Sequence, residues 1–350
     1  MATLTETAQF IRKAVKWGTV TVLLILVIKL GISVGREWWR RRHPEPPPPP
    51  DVAFGKLPAI RFPEQKFPEI SFRLETISGG TPDLGDRATV FFMPYKKPSL
   101  LALDRAKEQA KKWRFLTEPV KVNDKTYRWV RGEEVKTVLE MNIFTGEFEL
   151  NYNWRADPVI FQERALPGEK QAVMEAVNFL TFADLLPEDL DTENGKVSYL
   201  KLRGGQIVEA ISLSEANMVR VDFFRKPIGD WPVMTEDPNK GVVSFLFSGS
   251  TQSDKRIVEV SYHYFPVDYQ STATYPIKNS ALAWRELQAH QGYVAALGDN
   301  QEGKVVTIRS IYLAYLDSKT PVGYLMPIYV FEGDGGFYGY VSAIEDEWLE

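Results

Sequence analysis

The chain has 350 residues with no cysteine, which excludes disulfides, thiol nucleophiles and cysteine-ligated metals. Residues 1–50 hold 8 Lys and Arg against 3 Asp and Glu, so the rest carries about −9, the wrong sign for a general binder of nucleic acid. Apolar residues at 44% and aromatics at 13% argue for a folded, sheet-rich part rather than disorder.

Residues 1–16 form a short amino-terminal tail. Residues 17–35, WGTVTVLLILVIKLGISVG, are apolar over the length that a helix rising 1.5 Å per residue needs to cross about 30 Å of hydrocarbon, and predict a single transmembrane helix. The sequence that follows, Arg36-Glu37-Trp38-Trp39-Arg40-Arg41-Arg42, offers no small-residue cleavage site and instead places tryptophans and cations at a headgroup boundary. Lys29 falls inside the span. Either its stem carries the ammonium to the interface, or it faces a partner helix together with the close-approach pair Gly31 and Gly35. Cations flank both ends (Arg12, Lys13, Lys16; Arg36, Arg40–Arg42), and large domains translocate largely regardless of that count. The expectation is a cell-membrane protein, single-pass, with an extracytoplasmic carboxyl-terminal domain.

Residues 36–69 read as a basic, proline-rich linker. Pro44 and Pro46–Pro50 favour polyproline II, a stiff spacer of roughly 20 Å. Pro58, Pro63 and Pro68 keep the chain extended beyond it, and Phe54, Leu57, Ile60, Phe62 and Phe67 predict that this later part lies on the folded domain.

The rest reads as an α+β fold in which a helix followed by antiparallel strands recurs in three units, 70–165, 166–270 and 271–350. The first has strands near 70–74 and 89–93, a helix from a Ser99 cap to Phe115 with Leu103, Ala106, Ala110 and Trp113 on one face, then strands near 127–130, 136–143 and 147–154, the last two turning at Thr145-Gly146. The second opens with a helix near Gly168 carrying Val173, Ala176, Val177 and Leu180 at core spacing, followed by strands near 196–202, 207–213, 218–224, 242–247 and 256–265. The third has a helix capped by Ser280 and stopped by Gly292, with Ala283, Trp284 and Leu287 buried, then strands at 305–316, 324–331 and 336–344; Pro327, which lacks a donor, predicts an edge or a bulge.

Tyr275, Pro276, Ala283, Trp284, Leu287 and Gly292, followed by Leu313, Ala314, Tyr315, Leu325, Pro327, Val330 and Phe331, resemble the carboxyl-terminal domain of the YycH/YycI-type regulators, whose fold is similar to the PepSY helix-and-sheet module. The resemblance covers under a third of the chain. It implies one amino-terminal span, an extracytoplasmic αβ domain, and adjustment of a sensor histidine kinase by contact rather than by catalysis.

The chemistry-bearing residues are sparse. His43, His263 and His290 lie apart from one another and from metal-binding spacing. The acidic run Asp184, Glu188, Asp189, Asp191, Glu193 lacks the glycine and terminal glutamate of a calcium loop. Gly204-Gly205 and Gly335-Gly336 mark hairpins, and Ser248-Gly249-Ser250 lacks the frame of a nucleophile elbow. No catalytic, cofactor-binding or metal residue is expected, hence no cofactor. Aromatics concentrate on the last sheet, where Tyr312, Tyr329, Tyr338 and Tyr340 are the expected partner face. The reading is a non-enzymatic interaction protein whose partners are the lipid bilayer and a membrane protein, with no nucleic acid. A cell-surface hydrolase working through paired carboxylates, or a peptidase inhibitor or chaperone-like envelope protein, is the alternative.

Overall fold

The computed structural model describes residues 4–42, 48–95, 98–157 and 159–350, so His43 and residues 44–47 of the proline run lie outside the described residues. The chain divides into two compact units, Met1–Pro49 and Pro50–Glu350. The first is one continuous helix, α1 (Leu4–Arg42), so most of the expected tail is helical too. Within it Lys16–Trp39, 24 residues, is long and apolar enough to cross a membrane by length and composition, a test that a signal sequence near an amino terminus also passes.

The second unit contains two sheets. Its strands are β1 (Ser71–Leu74), β2 (Arg87–Phe92), β3 (Val120–Lys121), β4 (Thr126–Arg131), β5 (Thr137–Asn142), β6 (Phe148–Tyr152), β7 (Lys196–Arg203), β8 (Gln206–Glu209), β9 (Met218–Phe223), β10 (Val233–Met234), β11 (Val243–Ser248), β12 (Ile257–Tyr262), β13 (Asp268–Pro276), β14 (Tyr293–Ala296), β15 (Val305–Leu316), β16 (Tyr324–Gly333) and β17 (Phe337–Ser342). The helices are α2 (Ala102–Lys112), α3 (Glu169–Phe182), the single turn α4 (Ser253–Arg256) and α5 (Ser280–Gln288). A nine-stranded antiparallel sheet runs β3-β4-β5-β6-β12-β11-β9-β7-β8. An eight-stranded mixed sheet runs β1-β15-β16-β17-β14, with β10 beside β15, β2 beside β16 and β13 beside β2.

Hydrogen bonding therefore crosses the expected unit boundaries. Strands β6 and β12 pair with Leu150 opposite Val260 and Phe148 opposite Tyr262, so the expected boundary between 165 and 166 divides a single sheet. Strands β1 and β2, expected in the first unit, pair with β15, β13 and β16 of the other sheet. The physical reason is coverage: a small sheet under one helix leaves two bare edges, whereas fusing two of them pairs those edges and lets α2 and α3 share one wide face. Ala106, Ala110 and Trp113 of the α2 region and Ala172, Ala176 and Leu180 of α3 pack there on Phe148, Leu150, Phe223 and Phe245. Part of the opposite face is closed by Trp154, Ile160 and Phe161 of the segment leading to α3, against Leu200, Met218, Leu246 and Val258.

Helices α2, α3 and α5 end alike. A non-glycine residue in the left-handed region follows each (Arg114, φ 63°; Asp184, φ 58°; His290, φ 60°), and the next amide returns to the carbonyl five residues back. That is the Schellman closure. The cap of α5 is Asn279, whose side chain accepts from Leu282 N at 2.8 Å, not Ser280, whose hydroxyl donates to the Pro82 carbonyl. Pro327 sits in the interior strand β16 rather than at an edge: it lies just past the end of the β17 ladder, where Ala343 N meets its carbonyl and no donor is required of it.

From Pro50 onward the expected linker is part of the folded unit. Asp51 accepts from Thr274 N at 2.8 Å, Leu57 is wholly buried and bridges Leu349, Phe62 stacks on Tyr293 at 5.0 Å, and Phe67 stacks on His290 at 4.4 Å. An apolar residue every few positions holds this strap down without a ladder of its own.

One charged cluster joins the two sheets. Arg225, wholly buried just after β9, donates from Nε to Asp317 at the end of β15 (2.9 Å), from Nη1 to Asp189 beyond α3, and from Nη2 to the Phe265 carbonyl (2.8 Å). Tyr264 and Tyr269 donate to Asp189 at 2.7 and 2.6 Å, and the guanidinium lies 4.6 Å from the Tyr264 ring. Burial disfavours the Arg225 charge, but two carboxylates outweigh it and raise its pKa well above the usual arginine value. Removing one member strands the others without compensation. Arg225→Met is expected to lower the unfolding free energy by about 3–5 kcal/mol, whereas Arg309→Gln, which breaks ion pairs half exposed to water, leaves the denaturation midpoint unchanged; urea titrations of both variants check this.

Candidate functional site

The expected site residues fall into two groups, one in each unit. In α1, Gly31 and Gly35 lie one turn apart and therefore share a face, with open space where a Cβ would stand. Lys29 is two residues before Gly31, which turns it roughly 200° around the axis at 100° per residue. A single partner helix would not meet all three, so the expected contact reduces to the glycine pair.

In the last sheet, β15 and β16 pair Tyr312 with Val330 and Leu313 with Tyr329, while β16 and β17 pair Val330 with Tyr340 and Glu332 with Tyr338. Alternation then places Tyr312, Tyr338 and Tyr340 on one face and Tyr329 on the other. Tyr329 is wholly buried beneath α5, its hydroxyl donating to the Lys278 carbonyl. Tyr340 is also wholly buried, in a cluster with Ala314, Leu316, Ile328 and Val330, covered by Ile60 and Phe62 of the strap and by Tyr293. These two are core residues rather than members of a partner face. Tyr312 and Tyr338 remain half exposed at the margin of the strap, with Tyr338 3.3 Å from the Glu332 carboxylate.

The titratable groups are arranged for structure. His263 sits on the polar side of the nine-stranded sheet, with Nε2 3.1 Å from Glu149 and Nδ1 4.0 Å from Glu147. Burial opposes its charge, the two glutamates favour it, and the balance pushes its pKa up to about 9. His290 caps α5 and meets the Ile70 carbonyl at 3.3 Å. The acidic run disperses: Asp184 pairs with Lys112 at 2.6 Å, Asp191 holds Asn194, and Asp189 turns inward to Arg225. Ser248 is buried, donating to the Lys255 carbonyl at 2.7 Å. Among the described residues no group of three or more His, Asp or Glu side chains converges as a metal would need.

Sequence reasoning missed the Arg225 cluster and a pair of arginines beside α2, Arg114 and Arg131. Both consist of groups brought together from distant positions, with only one weak local sign, a charged residue directly ending an apolar strand in Phe224-Arg225 and Leu316-Asp317. The surface also carries clefts of about 420 Å³, between α2 and the β5–β6 turn with Arg105, Gln109 and Phe144 in its lining, and about 450 Å³, between α3 and the start of β7.

No family model and no curated protein matches the chain. Among solved structures nine chains match. One is the crystal structure of an uncharacterized protein from Eubacterium rectale, 12% identical, with a TM-score of 0.34 over 78% of this chain and 86% of that one. A superposition that loose carries no argument about fold or function.

Two outcomes follow from the site chemistry. A histidine whose pKa is raised on folding contributes its stability in full below its ordinary value of 6.5 and loses it as pH rises through about 9. The thermal midpoint should therefore fall across that window, and His263→Gln should flatten the fall. The Tyr340 hydroxyl is buried with no protein partner. Tyr340→Phe should be neutral or stabilising, while Tyr329→Phe, which loses a made bond, should cost about 1 kcal/mol in a denaturant titration.

Proposed function

We propose that this chain is a non-enzymatic, single-pass membrane protein whose extracytoplasmic head binds a membrane partner and modulates or scaffolds it. The observation that carries the reading is the state of α1. Leu23 to Ile28, Leu30, Ile32 and Val34 are each 49–69% exposed, on every side of the helix, and Trp17, Trp38 and Trp39 are exposed at its ends. An apolar surface of that extent on all sides of one helix has a natural solvent in lipid, and tryptophans at both ends suit the two headgroup layers. The sequence between span and head is basic and then proline-rich, a composition that favours a stiff spacer. The likeness of residues 275–331 to the YycH/YycI-type regulators supports a sensor histidine kinase as the partner, met by contact through the half-exposed Tyr312 and Tyr338, and supports reading α5 with β15–β17 as a PepSY-like unit.

Cell fractionation tests the anchoring. The full chain should stay in the membrane pellet through alkaline carbonate extraction, retain its amino terminus by intact mass, and lose the head to protease added outside intact cells. Release by carbonate, a mass showing cleavage after the span, or a head that protease reaches only after lysis would overturn the reading.

A further inference from the structure

A cleft of about 220 Å³ opens between the end of α2, the last turns of α3 and the strands beneath them. Its floor is apolar, with Leu150, Phe179 and Ile257, and the 64% exposed Phe182 forms one wall. Beside this apolar surface stand two arginines, Arg114 and Arg131, on a head whose net charge is about −9.

Among the described residues neither arginine is in an ion pair. Arg131 is half-buried, its Nη1 donating to the Trp113 carbonyl at 2.8 Å and its guanidinium carbon 4.9 Å from the Phe115 ring centre. Burial lowers its pKa; Asp254 on the rim counters that and Arg114 adds repulsion. Arg114 is exposed, its backbone fixed by the left-handed closure of α2, and it lines the cleft. The third cation of the cleft, Lys112, is committed to Asp184 at 2.6 Å and to the Ala183 carbonyl. A half-buried guanidinium beside a like charge bears a repulsion that an anion between the two arginines relieves.

We propose that this cleft binds the carboxylate end of an apolar molecule, the carboxylate lying between Arg114 and Arg131 and the apolar part resting on Leu150, Phe179 and Phe182. The arginine fork matches a carboxylate in two parallel hydrogen bonds, which a neutral amide does not reproduce. The volume, below the roughly 300–1,000 Å³ of sites for drug-sized ligands, suits one aliphatic side chain with its carboxylate. Two sources offer that chemistry: the last residue of a polypeptide ending in an apolar side chain, and a free short-chain fatty acid. The proposal does not depend on the membrane reading.

Saturation-transfer NMR on the full-length protein in lipid nanodiscs tests it, with N-acetyl-leucine, N-acetyl-leucinamide and hexanoate as probes. Transfer to the methyl groups of N-acetyl-leucine is expected, with the amide bound about tenfold more weakly. Arg114→Gln, at an exposed position, should weaken N-acetyl-leucine by a similar factor without moving the thermal midpoint, and Phe182→Ala should weaken both acids. N-acetyl-leucine binding tighter than hexanoate assigns the polypeptide terminus, and the reverse assigns the fatty acid. Equal binding of acid and amide, binding indifferent to Arg114→Gln, or no transfer to any probe would overturn the proposal.

Discussion

A buried guanidinium shared by two carboxylates from separate segments constrains the whole head. Arg225, Asp189 and Asp317 come from the end of β9, the exit of α3 and the end of β15, and Tyr264 and Tyr269 donate to Asp189. Apolar packing alone is tolerant of sliding, because one hydrophobic contact resembles another. A buried charge is not, since any shift leaves an ion unpaired in a medium that solvates it poorly. The two sheets therefore meet at one geometry. Burial also raises the pKa of Asp317, while Arg225 and the tyrosine hydroxyls outweigh burial at Asp189 and lower it, so the two acids sharing the arginine differ in how firmly they hold their charge.

That geometry decides which surfaces are available. Ile60 and Phe62 of the strap close one face of the β14–β17 layer, and α5 with Leu57 and Phe67 of the strap packs on the other, which takes Tyr340 and Tyr329 into the interior and leaves Tyr312 and Tyr338 at the rim. The strap begins where the basic and proline-rich segment ends, so the chain that leads to the span continues directly into the cover of this layer. A pull on the linker would bear first on Asp51 against Thr274 of β13 and on Leu57 against Leu349, and only later on Phe62 against Tyr293 and Phe67 against His290.

Much of the local structure was legible in the sequence and little of the long-range pairing was. Strand β15 occupies the expected residues, and α3 begins at Glu169 after Gly168, because alternation and helical spacing are short-range patterns that burial on one face imposes directly. The Gly204-Gly205 turn joins β7 to β8 with positive φ at both residues, as a two-residue hairpin needs. The pairing of β6 with β12, and of β1 and β2 with strands more than a hundred residues away, leaves no comparable trace, since any apolar strand edge fits another. The tyrosines show the same limit. Composition identified an aromatic sheet, but which of Tyr312, Tyr329, Tyr338 and Tyr340 reaches the surface depends on the strap and α5, whose placement no local pattern encodes.

The central claim is that the head touches another membrane protein while the span holds it in place. Photocrosslinking in native membranes from a photoreactive residue at position 338, with position 209 at the far edge of the nine-stranded sheet as control, tests it most directly. The expected result is a discrete adduct with an integral membrane protein from position 338, absent from position 209 and lost when residues 17–35 are replaced by a cleavable signal. Adducts only with lipid or with a second copy of the chain, or the same protein adduct from both positions, would contradict the account.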